Sequence, residues 1–131
     1  MENLYNLGID EKEIIDMINQ CNEIKDLSRF EIDKKIDILK QINCSERHIK
    51  NIIISNPYYL NRMYEDIIKL INKLKDLGFE CINILFDSNP YILNKDAYEI
   101  DNYIKEQIDN GRTIEEIVDD LNSNPYMFEE I

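Results

Sequence analysis

The tetrapeptide Ser-Asn-Pro-Tyr occurs three times in the chain, at Ser55–Tyr58, Ser88–Tyr91 and Ser123–Tyr126. Its prolines are separated by 33 and then 35 residues. A motif that recurs at a period of roughly 20–50 residues is typical of stacked supersecondary units, each too small to bury its own apolar face. The three copies therefore predict a helical-repeat architecture more strongly than any single residue predicts a chemistry.

Each Asn-Pro step is expected to end one helix and to start a turn. Proline disfavours the α conformation in the residue before it and cannot continue an interior turn. It suits the first position of a new turn, which the preceding asparagine can cap. The apolar pair after each copy would then point inward, and these pairs are Tyr59/Leu60, Ile92/Leu93 and Met127/Phe128.

Alignment on the prolines divides a single expected domain, 1–131, into units of about 7–42, 43–77, 78–110 and 111–131. The units open at Gly8, Asn43, Gly78 and Gly111. The first has Gln20-Cys21-Asn22-Glu23 where the others have the tetrapeptide, and the last lacks a second helix. Such departures are expected in terminal repeats, which have one face without a neighbour.

Apolar residues spaced by three and four predict a short and a longer amphipathic helix in each complete unit. The short-helix sets are Ile14/Met17/Ile18, Ile49/Ile52/Ile53, Ile82/Leu85/Phe86 and Ile117/Asp120/Leu121. The longer-helix sets are Ile32/Ile36/Leu39/Ile42, Ile67/Ile71/Leu74 and Ala97/Ile100/Ile104/Ile108. Capping boxes are expected at Asp10/Glu13, Ser28/Glu31 and Thr113/Glu116, and the longer helices follow Asn61 and Asn94.

No stretch alternates with the period of two that a strand requires. The prediction is therefore all-α, with seven helices and four short turns. It describes a short α-solenoid of about four helix-turn-helix repeats, stacked at right angles or along a curve.

The net charge of −12 is unevenly distributed. Residues 1–75 hold 12 Lys/Arg and 13 Asp/Glu, whereas residues 76–131 hold 3 and 14. Such a field repels phosphate backbones and attracts basic surfaces. It would also keep a small protein soluble, so the acidity alone does not identify a binding face. Nine of the basic residues of the first half, interleaved with acidic ones, could contribute to a nucleic-acid contact: Lys34, Lys35, Lys40, Arg47, Lys50, Arg62, Lys69, Lys73 and Lys75.

Nothing in the sequence points to export or to a membrane. The N-terminus lacks the basic and apolar regions of a signal peptide, and no apolar run approaches the roughly 20 residues of a span. Cys21, Cys44 and Cys81 have no zinc-binding spacing, and we expect reduced thiols at half-buried helix positions. A cytoplasmic protein is expected. Its 25 Ile and 16 Asn against one Ala indicate AT-rich coding, as in a low-GC bacterium or its phage.

The units resemble the repeat of the mitochondrial transcription termination factor (mTERF) family. That repeat opens with Leu-Gly-x-(Ser/Asp), closes its short helix with Pro-x-x-Leu and continues into a leucine-rich helix. The opening is similar at 7–10 and 77–79, and the closing pairs are Pro57/Leu60, Pro90/Leu93 and Pro125/Phe128. The resemblance covers nearly the whole chain. It implies a curved α-solenoid and nucleic-acid binding in a basic groove.

Two groups of charged residues are candidate binding surfaces. The acidic candidates, which could form a partner-binding or merely a solvated face, are Glu106, Asp109, Glu115, Glu116, Asp119 and Asp120. The candidate nucleic-acid contacts are Arg47, Lys50 and Arg62. The tyrosines at the repeated position, Tyr58, Tyr91 and Tyr126, are either packing residues or an aromatic ladder.

No catalytic constellation is evident. The only histidine, His48, has no Ser or Cys with a companion Asp placed beside it by the sequence. We expect no enzyme activity, cofactor or metal. The leading hypothesis is a regulatory or inhibitory module that binds a basic protein, and the alternative is an mTERF-like nucleic-acid binder. Either a monomer or an end-to-end dimer is compatible with exposed terminal repeats.

Overall fold

The structure, a computed structural model, describes all 131 residues and contains helices and no strand. The nine α-helices are α1 Glu2–Asn6, α2 Glu11–Gln20, α3 Arg29–Gln41, α4 Glu46–Ser55, α5 Tyr58–Asn61, α6 Tyr64–Leu77, α7 Ile82–Ser88, α8 Ala97–Asp109 and α9 Ile114–Ser123. Three 3₁₀ helices cover Asn22–Asp26, Pro90–Asn94 and Pro125–Glu130. Contacts group the chain into two compact units, Met1–Tyr64 and Glu65–Ile131.

The predicted all-α repeat architecture is confirmed. The seven expected helices are α2, α3, α4, α6, α7, α8 and α9, and the four expected turns are α5 and the three 3₁₀ helices. Only α1 was not predicted, because five residues are too few to show a helical period. Its Leu4 is fully buried, and Asn3 Nδ2 donates to Asp33 Oδ1 at 2.9 Å, which holds α1 against α3.

The short helix of every repeat ends in the same backbone conformation. The residues after α2, α4, α7 and α9 have φ of −137 to −145° and ψ of 75 to 90°, and they are Cys21, Asn56, Asn89 and Asn124. Each still donates its N–H to the carbonyl four residues earlier, at 2.9–3.0 Å. The three prolines therefore follow equivalent helix ends, and the first repeat adopts the same geometry without a proline.

The last position of the Pro-x-x-Leu motif is fully buried in every copy, as Leu60, Leu93 and Phe128. Leu93 differs from Leu60 in its local structure, since Leu60 lies on the α-helical turn α5 and Leu93 on the 3₁₀ helix Pro90–Asn94. Both turns nevertheless begin with the same hydrogen bond. The N–H of Tyr59 donates to the Asn56 carbonyl, and the N–H of Ile92 donates to the Asn89 carbonyl, each at 3.1 Å. The Pro-x-x-Leu spacing thus places the leucine in the core whether the turn is α-helical or 3₁₀.

The expected inward-pointing pairs hold for two of the three copies. Tyr59 and Leu60, like Ile92 and Leu93, are fully buried. In the last copy only Phe128 is fully buried, and Met127 is half-buried. This repeat has no second helix to cover the turn, so one residue of the pair keeps contact with solvent.

Four left-handed residues mark the openings that alignment of the repeats had indicated. Gly8, Gly78 and Gly111 have φ of +85°, +102° and +92°, and Asn43 has φ of +70°. No other residue has a positive φ. An L side chain is strained in this region, so glycine is favoured, and asparagine is the side chain that tolerates it best.

The unit Met1–Tyr64 contains a buried lysine and a buried tyrosine that connect α3 to α5. The Tyr59 hydroxyl donates to the Lys35 carbonyl at 2.6 Å, and Lys35 Nζ donates to the Leu60 carbonyl at 3.0 Å. Tyr59 is fully buried and Lys35 is 5% exposed. Lys35 therefore satisfies a carbonyl at the end of α5 and is not part of a basic surface, although the sequence placed it among the surface cations.

The unit Glu65–Ile131 is organised around aromatic residues and one asparagine. Phe79 and Phe128 pack with ring centroids 5.9 Å apart, and both are buried. The fully buried Asn89 uses Oδ1 to accept from the N–H of Tyr91 at 3.2 Å and Nδ2 to donate to the Pro125 carbonyl at 3.1 Å. The asparagine of one Ser-Asn-Pro-Tyr copy thus caps its own turn and binds the next copy.

The helix α8 follows Asn94 as predicted, and its N-cap is Asp96, whose N–H donates to Glu99 Oε1 at 2.9 Å. Three other local predictions were wrong in detail. Ile108 is exposed, since it lies in the last turn of α8. Cys81 is exposed at the start of α7 and is not half-buried on a helix. In α9 the side chain that joins Ile117 and Leu121 in the core is Val118, whereas Asp120 is exposed.

Substitutions of Gly78 test the left-handed openings. A Cβ at this position would meet no atom within 4 Å, so the cost arises from the backbone alone. We expect Gly78→Asn to cost less than about 1 kcal/mol, since Asn43 occupies the equivalent place, and Gly78→Val to cost about 2 kcal/mol. Urea unfolding measures both. Equal losses would contradict a conformational origin.

Tyr59→Phe tests the buried hydroxyl. Burial, and secondarily the charge of Cys44, raises the pKa of Tyr59 well above its usual value of 10.0. The folded protein therefore keeps the phenol neutral, and this contribution to stability is complete below about pH 10 and is lost as pH rises further. Tyr59→Phe should lose about 1 kcal/mol at neutral pH and should show a smaller alkaline loss than the wild type.

The neighbouring Tyr58→Phe is the matched control, because Tyr58 is exposed and its substitution should change stability by less than about 0.5 kcal/mol. Unfolding in urea between neutral and alkaline pH measures all three proteins. Identical pH profiles of Tyr59→Phe and the wild type would show that the buried phenol does not contribute.

Candidate partner-binding face

The six acidic residues singled out in the sequence lie on two helices that contact each other, α8 and α9. We call them the acidic face: Glu106, Asp109, Glu115, Glu116, Asp119 and Asp120. All six are exposed. Because α9 buries Ile117, Val118 and Leu121, the carboxylates of this helix occupy its opposite, solvent-facing side.

Arg112, in the loop between the two helices, divides the acidic face into engaged and unengaged carboxylates. Its guanidinium donates to Gln107 Oε1 on α8 at 3.2 Å and forms an ion pair with Asp120 on α9. Glu116 is engaged as well, since Thr113 Oγ1 lies 3.1 Å from its carboxylate. The structure therefore assigns a structural role to two of the six predicted partner-binding residues.

The four other carboxylates of the acidic face make no hydrogen bond or ion pair within the chain, and they are Glu106, Asp109, Glu115 and Asp119. Glu115 and Asp119 are four residues apart on α9, where two like charges face each other at a small cost in helix stability. These exposed carboxylates are available to a cationic ligand.

Few cations offset this charge, and most of them are held internally. The unit Glu65–Ile131 holds six Lys/Arg and sixteen Asp/Glu. Lys73 and Lys105 both contact Asp101, at 3.2 and 3.1 Å. Hydrogen bonds from both lysines hold the pKa of Asp101 below its usual value of 3.8, and the bond from Lys105 has the larger effect. Lys95 donates to the backbone oxygen of Ile131 at 2.9 Å.

The candidate nucleic-acid contacts all lie in the other unit, Met1–Tyr64, which holds nine Lys/Arg and eleven Asp/Glu. Arg47 is exposed on α4. Lys50, one turn further along α4, lies 3.9 Å from the Glu13 carboxylate. Arg62, directly after α5, is half-buried. Only Arg47 of the three is thus a fully exposed cation.

The residues that define the repeat belong to the core rather than to a binding surface. Leu60, Leu93 and Phe128 have no exposed surface and line none of the three cavities described below. Of the prolines, Pro57 is buried, whereas Pro90 and Pro125 are half-buried. Leu93 and its equivalents therefore act by packing, and a ligand could contact them only if the turns opened.

Exposed aromatic side chains form two further features. The repeated tyrosines, Tyr58, Tyr91 and Tyr126, are 53%, 48% and 62% exposed, so their rings are partly available at equivalent positions. A second feature, not predicted from the sequence, is a contact of Lys34 with two rings: its Nζ lies 5.3 Å from the ring centroid of Phe30 and 4.3 Å from that of Tyr64. The i,i+4 spacing of Phe30 and Lys34 on α3 was its only signal.

Two surface cavities lie in the unit Glu65–Ile131. One, of about 340 Å³, is lined by Asp66, Lys69, Asp96, Ala97 and Tyr98. The other, of about 260 Å³, is lined by Tyr98, Glu99, Asn102, Tyr103, Glu106, Glu130 and Ile131. A third cavity of about 160 Å³ lies in the unit Met1–Tyr64, between α1, α3 and Glu46.

His48 is half-buried on α4. No group of three or more His, Cys, Asp or Glu side chains is arranged to hold a metal ion. No helix combines the length and apolar character that crossing a bilayer requires.

A sequence model of the mTERF family matches residues 1–125. The chain therefore belongs to the mTERF family, and the helix-turn-helix repeats described above are its repeats. No curated protein and no solved structure matches the chain.

The Lys73–Asp101–Lys105 cluster can be tested by titration. We expect NMR titration of the Asp101 carboxyl to give a pKa below 3.8 in the wild type. Lys105→Gln should raise it more than Lys73→Gln, because Lys105 makes the larger contribution. Lys75→Gln, an exposed change on α6, is the control and should leave the pKa unchanged. A larger effect of Lys75→Gln than of Lys105→Gln would exclude this assignment.

Proposed function

We propose that this mTERF-family chain is a non-enzymatic binding module whose acidic face on α8 and α9 binds a basic protein partner in a regulatory or inhibitory role. The observation that carries the proposal is the set of exposed carboxylates that the protein's own cations leave unengaged. Binding would rest on a preformed helical surface and on electrostatic steering, which raises the association rate and selects for a basic surface.

The charge distribution supports this proposal in a second way. Arg112 is placed so that it pairs with Asp120, while Glu115 and Asp119 on the same helix have no cation. The repulsion between them costs a few tenths of a kcal/mol in helix stability. An exposed basic partner would relieve that repulsion, because each exposed ion pair gained on binding is worth about 0.2–1 kcal/mol.

The second candidate function is nucleic-acid binding, which family membership favours. Arg47, Lys50 and Arg62 are the residues that would contact a phosphate backbone. This candidate has the weaker electrostatic support, because acidic residues outnumber Lys/Arg in both units. A protein that neutralises phosphates with Lys/Arg loses affinity as salt rises, so both candidates predict salt dependence and differ in the ligand.

A charge-neutralised variant tests the acidic face. The double substitution Glu115→Gln/Asp119→Asn should weaken binding of a fluorescent octa-lysine peptide, measured by anisotropy at about 20 mM salt. The loss of two exposed pairs predicts a weakening from about twofold to about thirtyfold. The same variant should have a stability close to that of the wild type, because relief of the repulsion along α9 is offset by loss of the favourable negative charge of Glu115 in the first turn of the helix.

The matched control is Glu11→Gln/Asp16→Asn, which removes the same charge from two exposed positions of α2. Equal weakening by both variants would attribute binding to net charge and would refute a defined face. Affinity that does not change between about 20 and about 200 mM salt would refute steering. A labelled single strand and a duplex are tested in parallel. If the wild type binds either of these nucleic acids and Arg47→Gln abolishes that binding, the result would support the second candidate instead.

A further inference from the structure

The cavity of about 260 Å³ beside α8 combines aromatic rings with carboxylates and contains no basic side chain among its lining residues. Its volume is below the roughly 300–1,000 Å³ of pockets for drug-sized ligands. Its size therefore suits a single side chain or a similar small group. The tyrosines and glutamates of the lining indicate the chemistry of that group.

Five of the seven lining residues come from one face of α8, whereas Glu130 and Ile131 belong to the end of the last 3₁₀ helix and the residue after it. Glu99, Tyr103 and Glu106 follow one another at intervals of four and three residues, so they lie along one side of the helix. The buried residues of the helix are Ile100 and Ile104. Tyr98 is 65% exposed at the rim. The helix core thus fixes a row of two carboxylates and a tyrosine at the cavity.

One cation of the unit contacts a lining residue, since Lys95 Nζ donates to the backbone oxygen of Ile131 at 2.9 Å. Lys105, on α8 itself, is bound to Asp101 with Lys73, and neither lysine lines the cavity. Glu99 accepts a hydrogen bond from the N–H of Asp96 in the first turn of the helix, so its carboxylate is held in position. Glu106 also belongs to the acidic face and makes no ion pair within the chain. The side-chain carboxylates of the lining therefore have no ion-pair partner within the chain, and the only contact of a cation with the lining is that of Lys95 with the Ile131 backbone.

We propose that this cavity receives an arginine side chain of the basic partner. A guanidinium is planar, stacks on an aromatic ring and donates several hydrogen bonds in fixed directions, whereas a lysine ammonium is a compact and strongly hydrated charge. Tyr98 and Tyr103 supply the rings, and Glu99 and Glu106 supply the acceptors. The inference rests on the proposed function, because it names the residue type that the acidic face selects.

The neighbouring cavity of about 340 Å³ differs in a way that supports this choice. It shares Tyr98 but includes Lys69 in its lining. A cation in the wall repels a guanidinium, so Tyr98 alone does not define the arginine site. Asn102, which is exposed and lines only the smaller cavity, distinguishes the two.

The test compares octa-arginine with octa-lysine, which have the same charge. The wild type should bind octa-arginine about two- to fivefold more tightly, the range expected for an exposed cation–π contact. Tyr98→Ala should abolish that preference while retaining salt-dependent binding of octa-lysine. Tyr98→Phe should preserve the preference, because the ring remains. Tyr126→Ala, a change of another exposed tyrosine in the same unit, should preserve it too.

A second pair of variants places a cation inside or outside the cavity. Asn102→Lys should abolish the arginine preference by filling the cavity with its own amine. Asn122→Lys, an equal charge change on the exposed side of α9, should weaken both peptides alike.

The outcomes separate the two proposals. If the wild type binds neither peptide, the proposed function fails and the arginine site fails with it. If it binds both peptides equally, or if the preference survives Tyr98→Ala and Asn102→Lys, the arginine site is refuted while the acidic face remains supported.

Discussion

The interruption of the helix before each proline is the constraint on which the repeats depend. Proline prevents the preceding residue from continuing the helix, so the chain leaves the α conformation at Asn56, Asn89 and Asn124. The next turn then buries an apolar residue. Cys21 adopts the same conformation without a following proline, and Ile24 is fully buried after it. The first repeat therefore has the same helix end and a buried apolar residue after it without a proline.

The asparagine before proline contributes more than a helix end. Asn89 is fully buried, and its side chain caps its own turn and donates to the Pro125 carbonyl. A buried amide costs free energy unless its donors and acceptors are satisfied. The asparagine of the second tetrapeptide copy thus connects that copy to the third. In the unit Met1–Tyr64, Lys35 has a comparable role at the end of α5.

The charges of the unit Glu65–Ile131 are organised rather than diffuse. Three of its basic residues form ion pairs within the unit, Arg112 with Asp120 and both Lys73 and Lys105 with Asp101. Four of its unpaired carboxylates lie on α8 and α9, and Glu106 among them lines a cavity with two tyrosines. Membership of the mTERF family defines the architecture. The excess of acidic side chains, which the fold alone does not set, is the basis of our proposal of a basic partner.

The sequence by itself determined every helix except α1, together with the order and the breaks of these helices, because they depend on local rules. Apolar spacing, caps such as Asp10/Glu13 and Ser28/Glu31, and the glycine and proline positions act within a few residues. Only the tertiary structure decided which charged groups are available. Lys35 is buried and Asp120 is paired, and the tyrosine-lined cavity at α8 falls outside the repeat pattern. The physical reason is that the availability of a charge depends on neighbours distant in sequence, which helical periodicity does not encode.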